Sequence, residues 1–233
     1  MSQNEIRENL SQIRERIARA ADRSGRRSDE VTLIAVSKTH PAEAVREAFA
    51  AGLRHFGENR VQEWEGKRTA VADLAGYWHL IGHLQSNKAA RAARLFDSVD
   101  SVDDFALAQR LERARAEGAT GPNLRVLIEV RAAPEESKSG VEREALSELA
   151  EKICGLSHLE LAGLMCIPPL FEVAERARPY FAELRRLREQ LELRLGRGLP
   201  VLSMGMSHDF EVAIAEGATE VRLGTALFGV RIA

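Results

Sequence analysis

The sequence predicts an α/β protein that forms a single TIM-type (β/α)8 barrel with an additional N-terminal helix. Short apolar runs alternate with helical patterns about eight times, and such alternation is typical of a parallel sheet. The length of 233 residues is close to the roughly 250 residues of one such barrel. No linker rich in Pro, Gly or Ser interrupts the chain, so we expect one domain over residues 1–233. A doubly wound open sheet is the alternative, because periodicity alone does not separate the two folds.

The first predicted element is an amphipathic helix within residues 1–25, packed on the barrel. Four aliphatic side chains recur there at helical spacing: Ile6, Leu10, Ile13 and Ile17. The first strand covers residues 31–37 (VTLIAVS), which are mostly apolar and β-branched. A helix follows from Pro41 to near Gly52, and proline suits its first turn because the missing N–H would have no helical partner.

The remaining elements continue the alternation of strand and helix. The predicted strands are residues 55–57, 77–82, 97–100, 124–131, 159–165, 201–204 and 220–223. Helical patterns lie at residues 59–73, 85–95, 103–117, 141–154, 172–195 and 208–216. Together with the first strand and helix, these segments make about eight βα units.

Composition narrows the function classes. The chain has 33 Lys and Arg against 35 Asp and Glu, a formal net charge of −2 that provides no overall field for nucleic acid or anionic membranes. No apolar run has the roughly 18 residues of a membrane span. The N-terminus is charged and lacks the apolar stretch of a secretory signal. Two cysteines, Cys154 and Cys166, are too few for a disulfide framework, so we expect a cytoplasmic protein with neither membrane nor nucleic-acid partners.

Lys38 directly follows the first strand, at the barrel end where the functional sites of this fold lie. A lysine there loses hydration, which favours the neutral amine that forms a Schiff base. The alternative interpretation is a lysine whose stem covers apolar surface while its charge reaches solvent.

Two glycine–hydroxyl turns follow the last two strands. Gly205, Met206 and Ser207 are predicted to form a turn before a helix, and Gly224 with Thr225 repeats the arrangement after the eighth strand. Backbone N–H groups, a hydroxyl and the positive end of a helix suit a phosphate, and phosphate sites recur after strands seven and eight of TIM barrels. The alternative is that Ser207 and Thr225 are ordinary helix caps.

Other polar residues carry weaker signals. Arg222 lies inside the last strand, where an arginine must be paired or face a ligand. His79 and His83 are four residues apart, but on a strand that spacing does not bring two imidazoles together, so we expect no metal site. Cys166 is interpreted as a small buried apolar residue. The standard glycine-rich nucleotide loops do not occur in the sequence.

Eight segments, taken together and in this order, resemble the YggS/PROSC family of pyridoxal 5′-phosphate homeostasis proteins, whose fold is similar to the barrel domain of alanine racemase. The segments are AVSKTHPAE (35–43), FGENRVQE (56–63), WHLIGHLQSNK (78–88), SVDS (98–101), ESKSG (136–140), GLMCIPP (163–169), SMGMSHDFEVAI (203–214) and VRLGTALFG (221–229). The resemblance extends over nearly the whole chain.

The resemblance implies nine residues that bind pyridoxal 5′-phosphate: Lys38, Asn59, Met204, Gly205, Met206, Ser207, Arg222, Gly224 and Thr225. Lys38 matches the lysine that holds the cofactor as a Schiff base, and Arg222 resembles an arginine near the pyridine nitrogen. Its fixed charge would disfavour a proton on that nitrogen and weaken the ring as an electron sink. Lys138 matches a possible secondary acceptor. His40 stands where many members have lysine, which puts a relay through a second lysine in doubt.

The resemblance implies a role in vitamin B6 homeostasis, in which the cofactor is buffered or delivered to apo-enzymes, with no metal and no catalytic residue. The chain ends at Ala233, after the eighth unit, so we expect no second racemase-like domain, no two-base chemistry and a monomer. One alternative is a minimal pyridoxal phosphate-dependent amino-acid racemase or lyase that uses Lys38. Another is a barrel that binds a phosphosugar without a Schiff base.

Overall fold

Eight parallel strands close into a barrel in the computed structural model, which describes residues 3–118, 122–133 and 139–229. The strands are β1 (Thr32–Val36), β2 (His55–Glu58), β3 (Tyr77–Leu80), β4 (Ser98–Val102), β5 (Leu124–Glu129), β6 (Leu159–Met165), β7 (Val201–Met206) and β8 (Glu220–Leu223). Each strand pairs with the next in the sequence, and β8 pairs with β1. The closure confirms the predicted TIM-type barrel and excludes the open sheet.

Helices surround the barrel and connect its strands. Over the described residues they are α1 (Gln3–Arg23), α2 (Ala42–Ala50), α3 (Val61–Arg68), α4 (Ala89–Leu95), α5 (Phe105–Gly118), α6 (Arg143–Cys154), α7 (Arg178–Leu195), α8 (Phe210–Ala215) and α9 (Thr225–Phe228). None of these helices is both long and apolar enough to cross a membrane. The main hydrophobic core lies between the strands and this outer layer, because one face of each helix buries its apolar residues against the barrel.

The additional N-terminal helix packs on the outside of the barrel. The four predicted aliphatic residues of α1 are all buried, and the helix contacts α2, α8 and α9. Polar contacts hold the same face: Asn9 Nδ2 donates to the carbonyl oxygen of Leu227 at 3.0 Å, and the Arg16 guanidinium binds the Glu211 carboxylate at 3.2 and 3.1 Å. The predicted amphipathic pattern therefore corresponds to a buried stripe on α1.

The turn after β7 differs from the sequence-based prediction. Gly205 and Met206 lie within β7, and the turn starts at Ser207. The pairing of β7 with β8 shifts register between Ser203 and Met206, and Gly205 has a φ of +93°, which a glycine adopts without strain. The strand therefore continues through an irregularity that the predicted boundary at residue 204 did not include.

The barrel interior is polar at its N-terminal end. His79 (β3), Asp100 (β4) and Glu220 (β8) are buried, and their nearest side-chain N and O atoms all lie within 4.8 Å of one another. His79 Nδ1 lies 3.0 Å from Asp100 Oδ2, and its Nε2 lies 3.0 Å from Nδ1 of His55. Arg125 on β5 donates to Glu220 Oε1 at 2.6 Å. Because β8 is not adjacent to β3, β4 or β5, these side chains meet across the interior.

Candidate functional site

A cavity of about 430 Å³ opens at the C-terminal end of the barrel, and we call it the main cavity. Seven of the nine predicted cofactor-binding residues line it: Lys38, Asn59, Met206, Ser207, Arg222, Gly224 and Thr225. They come from the ends of β1, β2, β7 and β8 and from the loops that follow. Closure of the barrel between β8 and β1 brings the lysine close to both glycine–hydroxyl segments.

The other predicted residues lie elsewhere. Met204 is fully buried in the main hydrophobic core. Gly205 is buried behind the main cavity, where an added Cβ would lie 2.6 Å from Cβ of Ala213 and 2.9 Å from Cα of Phe210. Gly205 therefore permits close packing of β7 against α8. Lys138 lies outside the described residues.

The segment that carries Lys38 is strained. Thr39 has a φ of 65°, in the left-handed region that a β-branched residue rarely adopts. Its backbone N–H donates to Oε1 of Glu63, on the first turn of α3. The half-buried Lys38 is thus followed by a residue whose conformation depends on a contact with the next βα unit.

A buried charge cluster, formed by Lys67 and Glu58, contacts the segment that carries Lys38. The Lys67 ammonium on α3 donates to the carbonyl oxygen of Ser37 at 2.8 Å and to Oε1 of Glu58 at 2.7 Å. The Ser37 hydroxyl donates to the same Glu58 oxygen at 2.7 Å. Burial raises the pKa of Glu58 above its usual value, although Lys67 and Ser37 oppose that shift. Residues 37–39 are therefore tied to β2 and α3 on both sides of Lys38.

The two predicted phosphate segments are joined by a hydrogen bond. The backbone N–H of Ala226, in the first turn of α9, donates to Oγ of Ser207 at 3.1 Å. Asp209 closes the turn after β7, because its Oδ1 accepts from the backbone N–H of Met206 at 2.6 Å. Burial raises the pKa of Asp209. The Ser207 hydroxyl, the exposed Thr225 and the surrounding turns form one polar corner of the main cavity.

Arg222 forms the floor of the main cavity near β8. Its Nη1 donates to the carbonyl oxygen of Ser203 at 2.7 Å and to Oγ of the same residue at 2.9 Å, while its Nη2 donates to the carbonyl oxygen of Cys166 at 2.9 Å. These acceptors are neutral, so they orient the guanidinium without cancelling its charge. Cys166 is buried as expected, and burial raises the pKa of its thiol to about 12, so it is not a thiolate nucleophile at neutral pH.

Glu129 is a cavity residue that sequence reasoning missed. It ends β5, is 4% exposed and lines the main cavity. The Ser139 hydroxyl donates to its Oε1 at 3.0 Å. Burial raises the pKa of this carboxyl group, opposed by Ser139 and by the charges of Arg222 and His83. The available sequence signal was an acidic residue near the C-terminal end of the predicted strand 124–131, because the functional side chains of this fold lie at strand ends.

The histidines occupy different environments. His40, at the position where many family members were expected to have lysine, lines the main cavity, and its ring centroid lies 4.7 Å from that of Phe228. His83 also lines the cavity, with Nδ1 3.6 Å from an Asp103 carboxylate oxygen. His79 instead lies in the barrel interior. The two histidines spaced by four residues therefore belong to opposite ends of the barrel.

Comparisons with known proteins identify full-length relatives. A family model described as "Alanine racemase, N-terminal domain" matches residues 8–232. The pyridoxal phosphate homeostasis protein of Pseudomonas aeruginosa is 52% identical over 226 residues, which cover 97% of this chain and 96% of that protein. The Escherichia coli K12 protein of the same name is 44% identical over 238 residues, with 98% and 97% coverage.

Solved structures share the same architecture. PipY of Synechococcus elongatus, determined with pyridoxal phosphate bound, is 41% identical and aligns with a TM-score of 0.85 over 96% of this chain and all of PipY. An alanine racemase of Clostridium difficile aligns with a TM-score of 0.72 at 13% identity, and this chain covers 57% of it. The racemase comparison concerns the fold alone.

Proposed function

This chain belongs to the family described by the alanine racemase N-terminal domain, and we propose that it is a pyridoxal 5′-phosphate-binding protein of intracellular cofactor homeostasis. It would buffer the cofactor or deliver it to apo-enzymes, as a single domain over the whole chain and as a cytoplasmic monomer. The names of its relatives support the homeostasis role, and the two free cysteines are compatible with a reducing compartment.

The observation that carries the proposal is the combination of Lys38, Ser207 and Thr225 around one cavity. When bound, pyridoxal phosphate supplies an aldehyde that a lysine amine can hold as a Schiff base and a phosphate that needs hydrogen-bond donors. The main cavity offers an amine at the β1 end and hydroxyl-bearing turns after β7 and β8, so its residues fit both ends of the cofactor. Asn59, Met206, Arg222 and Gly224 would complete the contacts.

Arg222 argues against reactions that need strong carbanion stabilisation. Its guanidinium is held by carbonyl and hydroxyl oxygens and keeps its charge, so a ring nitrogen beside it would remain unprotonated. Enzymes that depend on strong carbanion stabilisation place an acidic group there instead. The names of the relatives as homeostasis proteins point the same way, and we propose that the protein holds the cofactor without turning over amino acids.

A minimal racemase or lyase is the second candidate, and Glu129 is the observation that favours it. A buried carboxyl group with a raised pKa on the cavity wall is the kind of group that serves as a general acid or base. Incubation of the loaded protein with a panel of amino acids, followed by chiral and product analysis, distinguishes the candidates. Turnover above that of free pyridoxal phosphate would contradict the carrier proposal.

Reconstitution tests cofactor binding. The protein mixed with pyridoxal phosphate should acquire a Schiff-base absorption band that borohydride removes. The Lys38→Ala variant should lack the band, whereas Lys152→Ala, which changes an exposed lysine on α6, should keep it. A protein that stays colourless, or a band that persists in Lys38→Ala, would contradict the proposal.

Transfer kinetics test delivery. The rate at which an apo-enzyme regains activity should rise with the concentration of loaded carrier beyond the rate that the free cofactor alone produces. A rate that depends only on the free cofactor would remove direct delivery and leave buffering as the role.

A further inference from the structure

A second cavity lies beside the main cavity at the C-terminal end of the barrel. Its volume is about 650 Å³, and it shares Asn59, Gly82 and His83 with the main cavity. The loops after β2 and β3, together with the end of β3 and the start of α3, form its walls through residues 59–62, 80, 82–85 and 88. Of the segments FGENRVQE and WHLIGHLQSNK, the proposed function uses Asn59 at the cofactor, while Glu58 and Glu63 position the Lys38 segment. Among the polar residues of these segments that line the second cavity, the proposed function gives no role to Arg60, Gln62, Gln85 and Lys88.

The second cavity carries positive charge. Arg60 and Lys88 line it together with the amides of Gln62 and Gln85, and none of its lining residues is Asp or Glu. Among the described residues no carboxylate pairs with Arg60 or Lys88. Nearby, Arg91 on α4 does pair with Glu65, at 3.4 Å. Two cations that no described carboxylate pairs therefore lie in one cavity, and they give it a local positive potential in a chain of net charge −2.

The main cavity and the second cavity are separated by the backbones of two loops, at Asn59 and Gly82. A Cβ added to Gly82 would lie 2.5 Å from the carbonyl oxygen of Asn59 and 2.9 Å from its Cα. The two loops therefore touch through their backbones, and only a glycine fits at residue 82. A molecule in the second cavity would be a direct neighbour of a molecule in the main cavity.

We propose that the second cavity binds a small anion through its phosphate or carboxylate group, with Arg60 and Lys88 as the principal contacts. Guanidinium and ammonium groups are the side chains that bind such oxyanions by charge-assisted hydrogen bonds. The cavity and its charges carry this proposal, so it does not depend on cofactor binding. If the proposed function holds, the site receives an anionic compound beside the bound cofactor.

Isothermal titration calorimetry tests the site. The protein is first loaded with pyridoxal phosphate, so that the polar corner of the main cavity is filled, and is then titrated with inorganic phosphate or, separately, with succinate. We expect one additional anion per chain. Arg60→Gln/Lys88→Gln should weaken its binding by about tenfold or more, the effect of losing hydrogen bonds to charged groups. The stronger of the two probes identifies the site as one for phosphate or one for carboxylate.

Arg110→Gln/Arg113→Gln is the matched control, because both arginines are exposed on α5 and their loss changes the net charge equally. This control should bind the anion as the unmodified protein does. Absence of additional binding, or an equal loss in both double variants, would overturn the proposal. Cofactor absorbance is read separately. If the protein does not load, the proposed function fails, and the same titrations on unloaded protein still test the second cavity. The single variants Arg60→Gln and Lys88→Gln serve if the double variant does not fold.

Discussion

Replacement of Lys67 by methionine tests whether the buried charge cluster positions the Lys38 segment. Lys67 is 9% exposed, and its ammonium contacts Glu58, which is fully buried, and the carbonyl oxygen of Ser37. Methionine fills a similar volume but leaves Glu58 with only the Ser37 hydroxyl as a donor. Removal of one partner from a buried ion pair costs about 3–5 kcal/mol, so we expect the free energy of unfolding to fall by that amount at pH 7.

The pH dependence identifies the cause of the loss. Burial already raises the pKa of Glu58 in the unmodified protein, and loss of the ammonium raises it further. A carboxyl group whose pKa is raised in the folded state contributes its stability below its ordinary pKa, near 4.5, and loses that contribution as the pH rises through the folded value. The destabilisation of Lys67→Met should therefore be smaller at pH 5 than at pH 7.

Urea unfolding at the two pH values measures the effect. Glu58→Gln/Lys67→Met is the matched control, because it removes the buried charge together with its partner, and it should recover much of the lost stability at pH 7. A loss below about 1 kcal/mol for Lys67→Met would refute the reasoning, since that is the range of an exposed pair. A double variant no more stable than Lys67→Met would also refute it. Cofactor absorbance of the same variants then reports whether the Lys38 segment keeps its geometry.

Three further outcomes follow from individual contacts. Gly205→Ala should lower the melting temperature and impair cofactor loading, since its Cβ would lie 2.6 Å from that of Ala213 at a φ of +93°; unchanged melting would contradict this. Burial raises the pKa of Glu129, so the free energy of unfolding of the wild type falls as the pH rises through that raised pKa. Glu129→Gln cannot ionise, so in urea unfolding its stability relative to wild type should increase between pH 4.5 and pH 7. Burial opposes ionisation of Asp100, but its contact with His79 keeps the pKa of the carboxyl group below the ordinary value. Asp100→Asn should therefore lower the free energy of unfolding by about 1.5–3 kcal/mol at pH 7, and this difference from wild type should become smaller as the pH falls. An equal difference at pH 3 would contradict the reasoning.

The alternation of short apolar runs with helical patterns predicted the order of strands and helices well, because a buried strand and an amphipathic helix each leave a recognisable pattern in the local sequence. The bounds of β6 and β8 agree with the predicted segments. Helix starts were less predictable. The pattern at 59–73 begins as α3 only at Val61, and that at 85–95 begins as α4 only at Ala89. Four of the extra residues line one or both cavities, namely Asn59, Arg60, Gln85 and Lys88, so polar residues that obscured the helix starts belong to the sites.

The contacts that support the site were beyond sequence reasoning because they join distant elements. Lys67 has the sequence context of an exposed helical lysine, and only the pairing of β1 with β2 and the packing of α3 bring its ammonium to the carbonyl oxygen of Ser37. The buried polar cluster of His79, Asp100 and Glu220 was hidden for the same reason, because Glu220 comes from β8, which is not adjacent to β3 or β4 in the sheet. Lys38 was predictable, since its role depends only on being at the end of a barrel strand.

The geometry around Lys38 connects positioning with function. Thr39 is held at a positive φ by its hydrogen bond to Glu63, and Ser37 is held by Lys67, so both neighbours of the lysine depend on α3. Backbone strain of this kind persists only where surrounding contacts overcome it, and it concentrates at ligand sites. A carrier must hold a cofactor and also release it, so its lysine needs a set position without tight enclosure. Lys38 is half-buried at the opening of the main cavity, while its support lies beneath it in the barrel wall, and this arrangement provides both conditions.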